Sequence, residues 1–272
     1  MQCRYVGDIG DFGKYGLLRS VCNYTKFKLG IVWYLVPDEP HNNDGKHIDY
    51  LCDCCKPVIA ARLKALDDEL YKKLQEIVAP ECKPGNSIKH PSSGTRCIKK
   101  IREKGILPNA VFFEEPLSFH GIQRRTERIA HRETWIGKAL KKIRECDIVF
   151  IDPDNGINSN NHAYRKKGPK YTFFNELKKF RSELLMSSEK RSLIIYHHSN
   201  FNETVDSQIN TLLQSIREQM ECSEPMALRY HRGASRTFFM VPGSKEASKS
   251  LSQRAEKFSG EWEEHFTLYK IK

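Results

Sequence analysis

Long apolar runs are missing from this chain. None approaches the roughly 20 residues that span a bilayer, and the opening MQCRYVGDIG lacks the apolar stretch of a secretory signal. Both absences lead to the expectation of a soluble, cytoplasmic protein. Paired cysteine knuckles are missing as well. Nine cysteines are an odd number, and CDCC has no second pair at zinc spacing, although Cys52, Cys54, Cys55, Cys82 and Cys97 share one region. Adjacent Cys54 and Cys55 suit reduced thiols better than zinc or a disulfide framework. There is no internal repeat, no long low-complexity tract, and no Walker A or G-x-G-x-x-G match.

What is present points to an enzyme-sized α/β domain. At 272 residues the chain needs no disulfide staples, and 39% hydrophobic residues supply a core. Its 45 basic against 34 acidic residues give +11, a balance that favours polyanionic partners. Seven short apolar runs read as strands: IVWYLV (31–36), VFFE (111–114), DIVFID (147–152), SLIIYH (192–197), ALRYH (227–231), RTFFMV (236–241) and FTLYKI (266–271). Helical periodicity fills the gaps at Lys14–Phe27, Val58–Val78, Thr134–Glu145, Thr172–Met186, Val205–Glu221 and Lys245–Phe258. Strands alternating with helices predict a mainly parallel, doubly wound sheet covered on both faces. RTFFMV and FTLYKI are expected to pair as an antiparallel C-terminal edge. After the first strand comes an inserted Cys-rich, basic segment at about 38–110, whose Pro80–Gly105 stretch reads as loop.

Three motifs stand out. D-P-D-N-G (Asp152, Pro153, Asp154, Asn155, Gly156) follows a buried-looking strand, where open α/β sheets bind ligands; as structure alone it is a good turn. The opening Y-V-G-D-I-G-D-F-G-K-Y-G interleaves four glycines with Asp8, Asp11, Lys14 and Tyr15 ahead of the first helix. Its amides suit an anion or nucleotide, or it is simply a capped helix lying over the sheet. Y-H-H-S-N (Tyr196–Asn200) ends the next strand, and strand alternation lets only one of His197 and His198 face a crevice beside Asp152. Arg165–Lys170 and the turn R-Y-H-R-G-A-S-R (Arg229–Arg236) are candidate phosphate contacts, or else solvated faces.

The spacing G-D-x-x-D-x-x-K-Y (Gly7–Tyr15) resembles the G-N-x-x-D-x-x-K-H opening of the RlmJ type of bacterial 23S ribosomal RNA adenine-N6 methyltransferases. The order that follows is similar over about the first 60% of the chain: helix, aromatic strand, a strand ending in acid (VFFEE), the helix GKALKKI, and VFIDPDNG in place of a strand running into D-P-P-Y. The resemblance implies a class I methyltransferase-like sheet that binds S-adenosylmethionine near Asp8, Lys14, Tyr15, Asp38 and Glu114. It also implies a nucleic-acid acceptor, RNA rather than DNA, held by Asp152 and the Pro153 carbonyl. The family's acidic, glycine-rich cofactor loop is replaced here by V-P-D-E-P-H-N-N-D-G, in which Asp38 or Asp44 would approach the cofactor. Its Pro-Tyr is replaced by Asp154-Asn155, so the aromatic that stacks on a flipped base is absent unless Tyr164 or Tyr171 serves.

Two other functions fit the same residues. A Mg²⁺- or Mn²⁺-dependent nuclease or phosphodiesterase would use Asp152, Asp154 and His198 as ligands, with Asp8, Asp11 and Asn155 nearby. A non-catalytic nucleic-acid-binding protein would keep only the fold and its salt-sensitive affinity. If the opening motif lines a ligand pocket, Lys14→Ala is expected to weaken binding at nearly constant thermal stability.

Overall fold

The computed structural model describes residues 1–39, 45–52, 56–79, 96–158, 162–182, 184, 189–200 and 202–271. All seven apolar runs are strands, shifted by at most three residues at either end: β1 (Leu29–Trp33), β2 (Val111–Phe113), β3 (Ile148–Asp152), β6 (Ser192–His198), β7 (Met226–Tyr230), β8 (Arg236–Val241) and β9 (Phe266–Lys270). They form one sheet in the order β2-β1-β3-β6-β8-β7-β9. Parallel pairing joins β2, β1, β3 and β6, whereas β8 runs antiparallel to both β6 and β7, and β9 antiparallel to β7. The two closing strands therefore do not pair with each other. β8 is buried along nearly all its length and takes a central place, while half-exposed β9 forms the edge.

Alternation along β3 builds two cores. Ile148 and Phe150 join Ile31, Trp33, Phe238 and Met240 beneath α1 (Ile9–Thr25), α3 (Asp68–Val78) and α8 (Lys245–Glu261). Val149 and Ile151 face the other way, against α5 (Arg125–Lys142), α6 (Phe174–Phe180) and α7 (Val205–Gln219). The segment between β1 and β2 is more than a basic appendage. Its α2 (Pro57–Leu66), α3 and α4 (Lys99–Glu103) bury Leu63, Leu74 and Ile101 in the first core. α4 lies in the stretch expected to be loop, of which residues 80–95 are outside the described set, as are Cys54, Cys55 and Cys82.

Several helices begin or end away from the periodic signal. The helix expected over 58–78 is two, because the Asp67 carboxylate accepts from Leu70 N at 2.9 Å and starts a new one. α1 begins at Ile9 instead of Lys14, since Asp8 caps it by accepting from Gly10 N at 3.0 Å. Three of the four glycines of the opening motif, Gly10, Gly13 and Gly16, are thus inside the helix. They let α1 lie close on the sheet: a Cβ at Gly13 would stand 2.6 Å from the Tyr230 ring. α5 starts well before Thr134 and α6 stops short of Met186. Two three-residue strands, β4 (Gly156–Asn158) and β5 (Tyr171–Phe173), pair in parallel and were too short to register as patterns.

Cys3, Cys22, Cys97, Cys146 and Cys222 are free, as expected, but Cys52 is disulfide-bonded, which corrects the expectation for that residue. Among the described residues no helix is long and apolar enough to cross a membrane.

α5 and α6 are joined by a buried ion pair. Arg132, 1% exposed, bridges Glu176 from Nε and again from NH2 at 3.0 Å, and NH2 also donates to the Tyr171 carbonyl at 2.7 Å. Replacing Arg132 by methionine leaves the Glu176 carboxylate buried with only the Tyr34 hydroxyl, at 3.1 Å, as a charge-stabilising donor. A loss of about 3 kcal/mol is expected, with partial recovery in Arg132→Met/Glu176→Leu. Urea unfolding of the two variants checks it; equal losses in both would refute the account.

Candidate functional site

The carboxyl ends of β3 and β6 open into a cavity of about 480 Å³. α1 crosses its floor and supplies Asp8, Asp11 and Lys14; the turn after β3 supplies Asp152, Pro153, Asp154 and Asn155; the end of β6 adds Tyr196 and His198. Arg236 at the start of β8, together with Lys46 and His47 from the loop after β1, completes the wall. Two motifs 138 positions apart thus meet. Lys14 Nζ lies 2.8 Å from Asp11 and 3.0 Å from Asp152, in a side chain 5% exposed. Burial opposes the charge on Lys14, but the two carboxylates outweigh it and hold its pKa well above the ordinary value.

The second acid of the turn has different partners. Asp154 accepts from Gln2 Nε2 at 3.1 Å and pairs with Lys170 at 3.2 Å, and the Met1 amino group lies 3.6 Å away. Burial raises its pKa, yet these donors overcome that and leave it below the usual carboxylate range. Arg236 pairs with Asp8 at 3.0 Å. Burial counts against its charge, while Tyr196 and Asp8 keep the guanidinium firmly protonated. Burial also pushes the Tyr196 hydroxyl up to about 12.

Gly156 explains the last letter of D-P-D-N-G. Its φ is +108°, and a Cβ there would stand 2.8 Å from the His197 Cα, so neither the turn nor its seat on β6 admits a side chain. Asn155 donates its amide to the Lys170 carbonyl at 2.8 Å and accepts from the His198 amide at 3.2 Å, fixing the turn to both neighbours.

Of the residues singled out in the sequence, Asp8, Lys14, Asp152, Pro153, Asp154, Asn155 and His198 line this cavity. Tyr15, Asp38 and Glu114 do not. Tyr15 faces the core, Asp38 accepts from the Arg4 amide at 3.3 Å, and Glu114 pairs with Arg102 at 3.2 Å. The space over the end of β1 is taken by the chain's own first residues: Met1 N donates to the Tyr34 carbonyl and Met1 O accepts from Val36 N. Asp44 lies outside the described residues. Tyr164 and Tyr171 are away from the cavity, whose aromatic walls are Tyr5 and Tyr196. The Arg229–Arg236 turn is not a joint clamp either, because Arg229 pairs with Asp206 and Arg232 donates to His265, leaving Arg236 alone in the wall. Gln2, Tyr5, Lys46 and His47 gave no sequence signal, as each reaches the site only through the path of a loop.

Among the described residues no group of three or more His, Cys, Asp or Glu is arranged to hold a metal ion. Asp152 and Asp154 are instead each taken by a different cation, Lys14 and Lys170.

His197 points away from the cavity, as alternation requires. Its Nδ1 accepts from Ile157 N at 3.2 Å, so the neutral ring carries its proton on Nε2. Burial, with a smaller contribution from His198, lowers its pKa to about 4. The unfolded ring protonates near 6.5, so the folded state gains nothing from this residue by going below that pH and loses stability as pH falls from about 6.5 to about 4. The total loss is roughly 3 kcal/mol. His197→Gln, which keeps an acceptor for Ile157, should flatten that part of the curve in urea titrations between pH 7 and 4.5; an unaltered slope would count against it.

No family model matches the chain, and no curated protein matches it. The chemistry of the site is therefore argued from its own residues.

Proposed function

We propose that the protein is an S-adenosylmethionine-dependent methyltransferase acting on nucleic acid, RNA rather than DNA. The observation that carries this reading is the direct contact between Lys14 of the opening motif and Asp152 of the acid-proline strand end, 3.0 Å apart in one cavity. The sheet adds support, because reversed β8 lies between two strands that run the other way, as in class I methyltransferase folds.

The residues present suit the cofactor. About 480 Å³ lies within the range for small-molecule sites. Carboxylates and cations share the lining, which matches a ligand carrying an amino-acid group and a sulfonium. When bound, S-adenosylmethionine supplies an electrophilic methyl group. What the chain contributes is orientation, since the transfer is an in-line displacement. Asp152 accepts an N–H of the acceptor amine and the Pro153 carbonyl a second, which aims the nitrogen lone pair. Lys14 holds the Asp152 carboxylate in one rotamer. Tyr196 and His198 close the side of the cavity away from α1 and limit water.

Isothermal titration with S-adenosylhomocysteine tests the cofactor, and transfer of labelled methyl groups to RNA tests the acceptor. No heat at millimolar ligand removes the reading. RNA binding without cofactor binding would leave a nucleic-acid-binding protein on this fold.

A further inference from the structure

The turn that pairs Lys170 with Asp154, a residue of the cavity lining, also displays Arg165, Lys166 and Lys167, all exposed. The start of α5 lies against this turn. Arg128 NH1 donates to the Tyr164 carbonyl at 3.2 Å, and the Arg125 guanidinium sits 5.8 Å from the Tyr164 ring centre. Arg124 and Arg125 therefore extend the same surface, and among the described residues none of these five cations has an acidic partner. Other exposed cations of this layer are neutralised in part, Lys138 by Glu115 and Lys179 by Glu133, while Lys141 and Lys142 at the far end of α5 have no acidic partner among the described residues. The one acid within the first turn of α5 is Glu127.

Five uncompensated charges on one surface cost stability through mutual repulsion, and Arg124 and Arg125 stand at the positive end of the α5 dipole, where cations are disfavoured. Arg124 is the N-cap residue and its side chain caps nothing. Capping does not account for this placement and packing against Tyr164 accounts for Arg125 alone, whereas a polyanion laid across it would account for all five.

We infer that Arg124, Arg125 and Arg165–Lys167 form the phosphate track of a single-stranded RNA substrate, on the turn whose Lys170 pairs with Asp154 of the cavity lining. The inference rests on the nucleic-acid part of the proposed function and names the surface that serves it. Single strands are favoured over duplex because Tyr164 offers an aromatic face beside the charges, on which an unpaired base can stack. Every phosphate contact releases counterions, so affinity along the track falls with salt.

Fluorescence anisotropy with a short labelled single-stranded RNA, over a salt series, tests this. Arg165→Ala/Lys166→Ala/Lys167→Ala should weaken binding about tenfold or more and flatten the slope of log K against log salt by about 2. A control with equal charge loss on α8, Lys245→Ala/Lys249→Ala/Lys257→Ala, should change both far less, because α8 covers the other face of the sheet. All six side chains are exposed, so folding is preserved, and S-adenosylhomocysteine titration of both variants should match the parent protein. Equal losses in the two triple variants, or an unchanged slope in the first, overturn the track. So would displacement of the RNA by polyglutamate at equal charge concentration, which would assign the surface to acidic protein. If the parent binds no S-adenosylhomocysteine but the first variant still loses RNA, the methyltransferase reading fails and the track stands. If cofactor binds and RNA affinity survives the variant, the track alone fails.

Discussion

Replacing Lys14 by methionine is expected to cost about 3–5 kcal/mol and to abolish ligand binding in the cavity together. Lys14 is the counter-charge to two carboxylates that are themselves almost fully buried, Asp11 at 2.8 Å and Asp152 at 3.0 Å. Methionine fills the volume but leaves two desolvated acids facing each other, and one must take up a proton. The sequence expectation of nearly constant stability for Lys14→Ala does not include this buried pairing with Asp11 and Asp152. Urea unfolding at pH 7 and titration with S-adenosylhomocysteine measure the two effects. Lys14→Met/Asp11→Asn should regain part of the stability and none of the binding, because Asp152 remains without its partner. A variant as stable as the parent would show that Lys14 does not bridge the acids.

The second large effect separates the two acids of the turn. Asp152→Asn should lower methyl transfer by about 10²-fold or more, since an amide can present a donor where the acceptor amine needs a carboxylate. Asp154→Asn should leave the chemical step nearly normal and cost about 1–3 kcal/mol in stability, by weakening its bonds to Gln2 and Lys170. Lys170 keeps Glu39, 2.6 Å away, so its charge stays paired. The asymmetry follows from what each carboxylate faces: Asp152 the floor of the cavity with Lys14, Asp154 the N-terminal segment and Lys170. Rates under single-turnover conditions decide it. Two inactive but folded variants that still bind RNA would favour a metal site, and an active Asp152→Asn would displace the site from this cavity.

Much of the architecture was legible in local pattern. Seven apolar runs became seven strands because a strand buried on both faces, such as IVFID, has few ways to hide its side chains other than inside a sheet. The crevice at Asp152–Gly156 was legible for a related reason: a buried strand ending in acid, proline and glycine must turn at the sheet's edge. The glycines of the opening motif allowed a ligand-binding loop or a capped helix over the sheet, and the structure has the capped helix. Gly10, Gly13 and Gly16 lie within α1 facing Arg236, Tyr230 and Trp262, partners more than 200 residues away. A glycine needed for close packing and one needed for a turn are the same letter.

By itself, then, the sequence determined the strands, the fact that only one of the two β6 histidines faces the crevice, and the polar turn after β3, because backbone periodicity and side-chain burial act within a few residues. Tertiary structure alone decided the partners. It put β7 between β8 and β9, turned Asp38 and Glu114 away from the cavity, filled the end of β1 with Met1 and Gln2, and set Lys14 against Asp152. Those outcomes depend on which buried charges find a counter-charge across the chain, and no local pattern encodes a pairing over 138 positions.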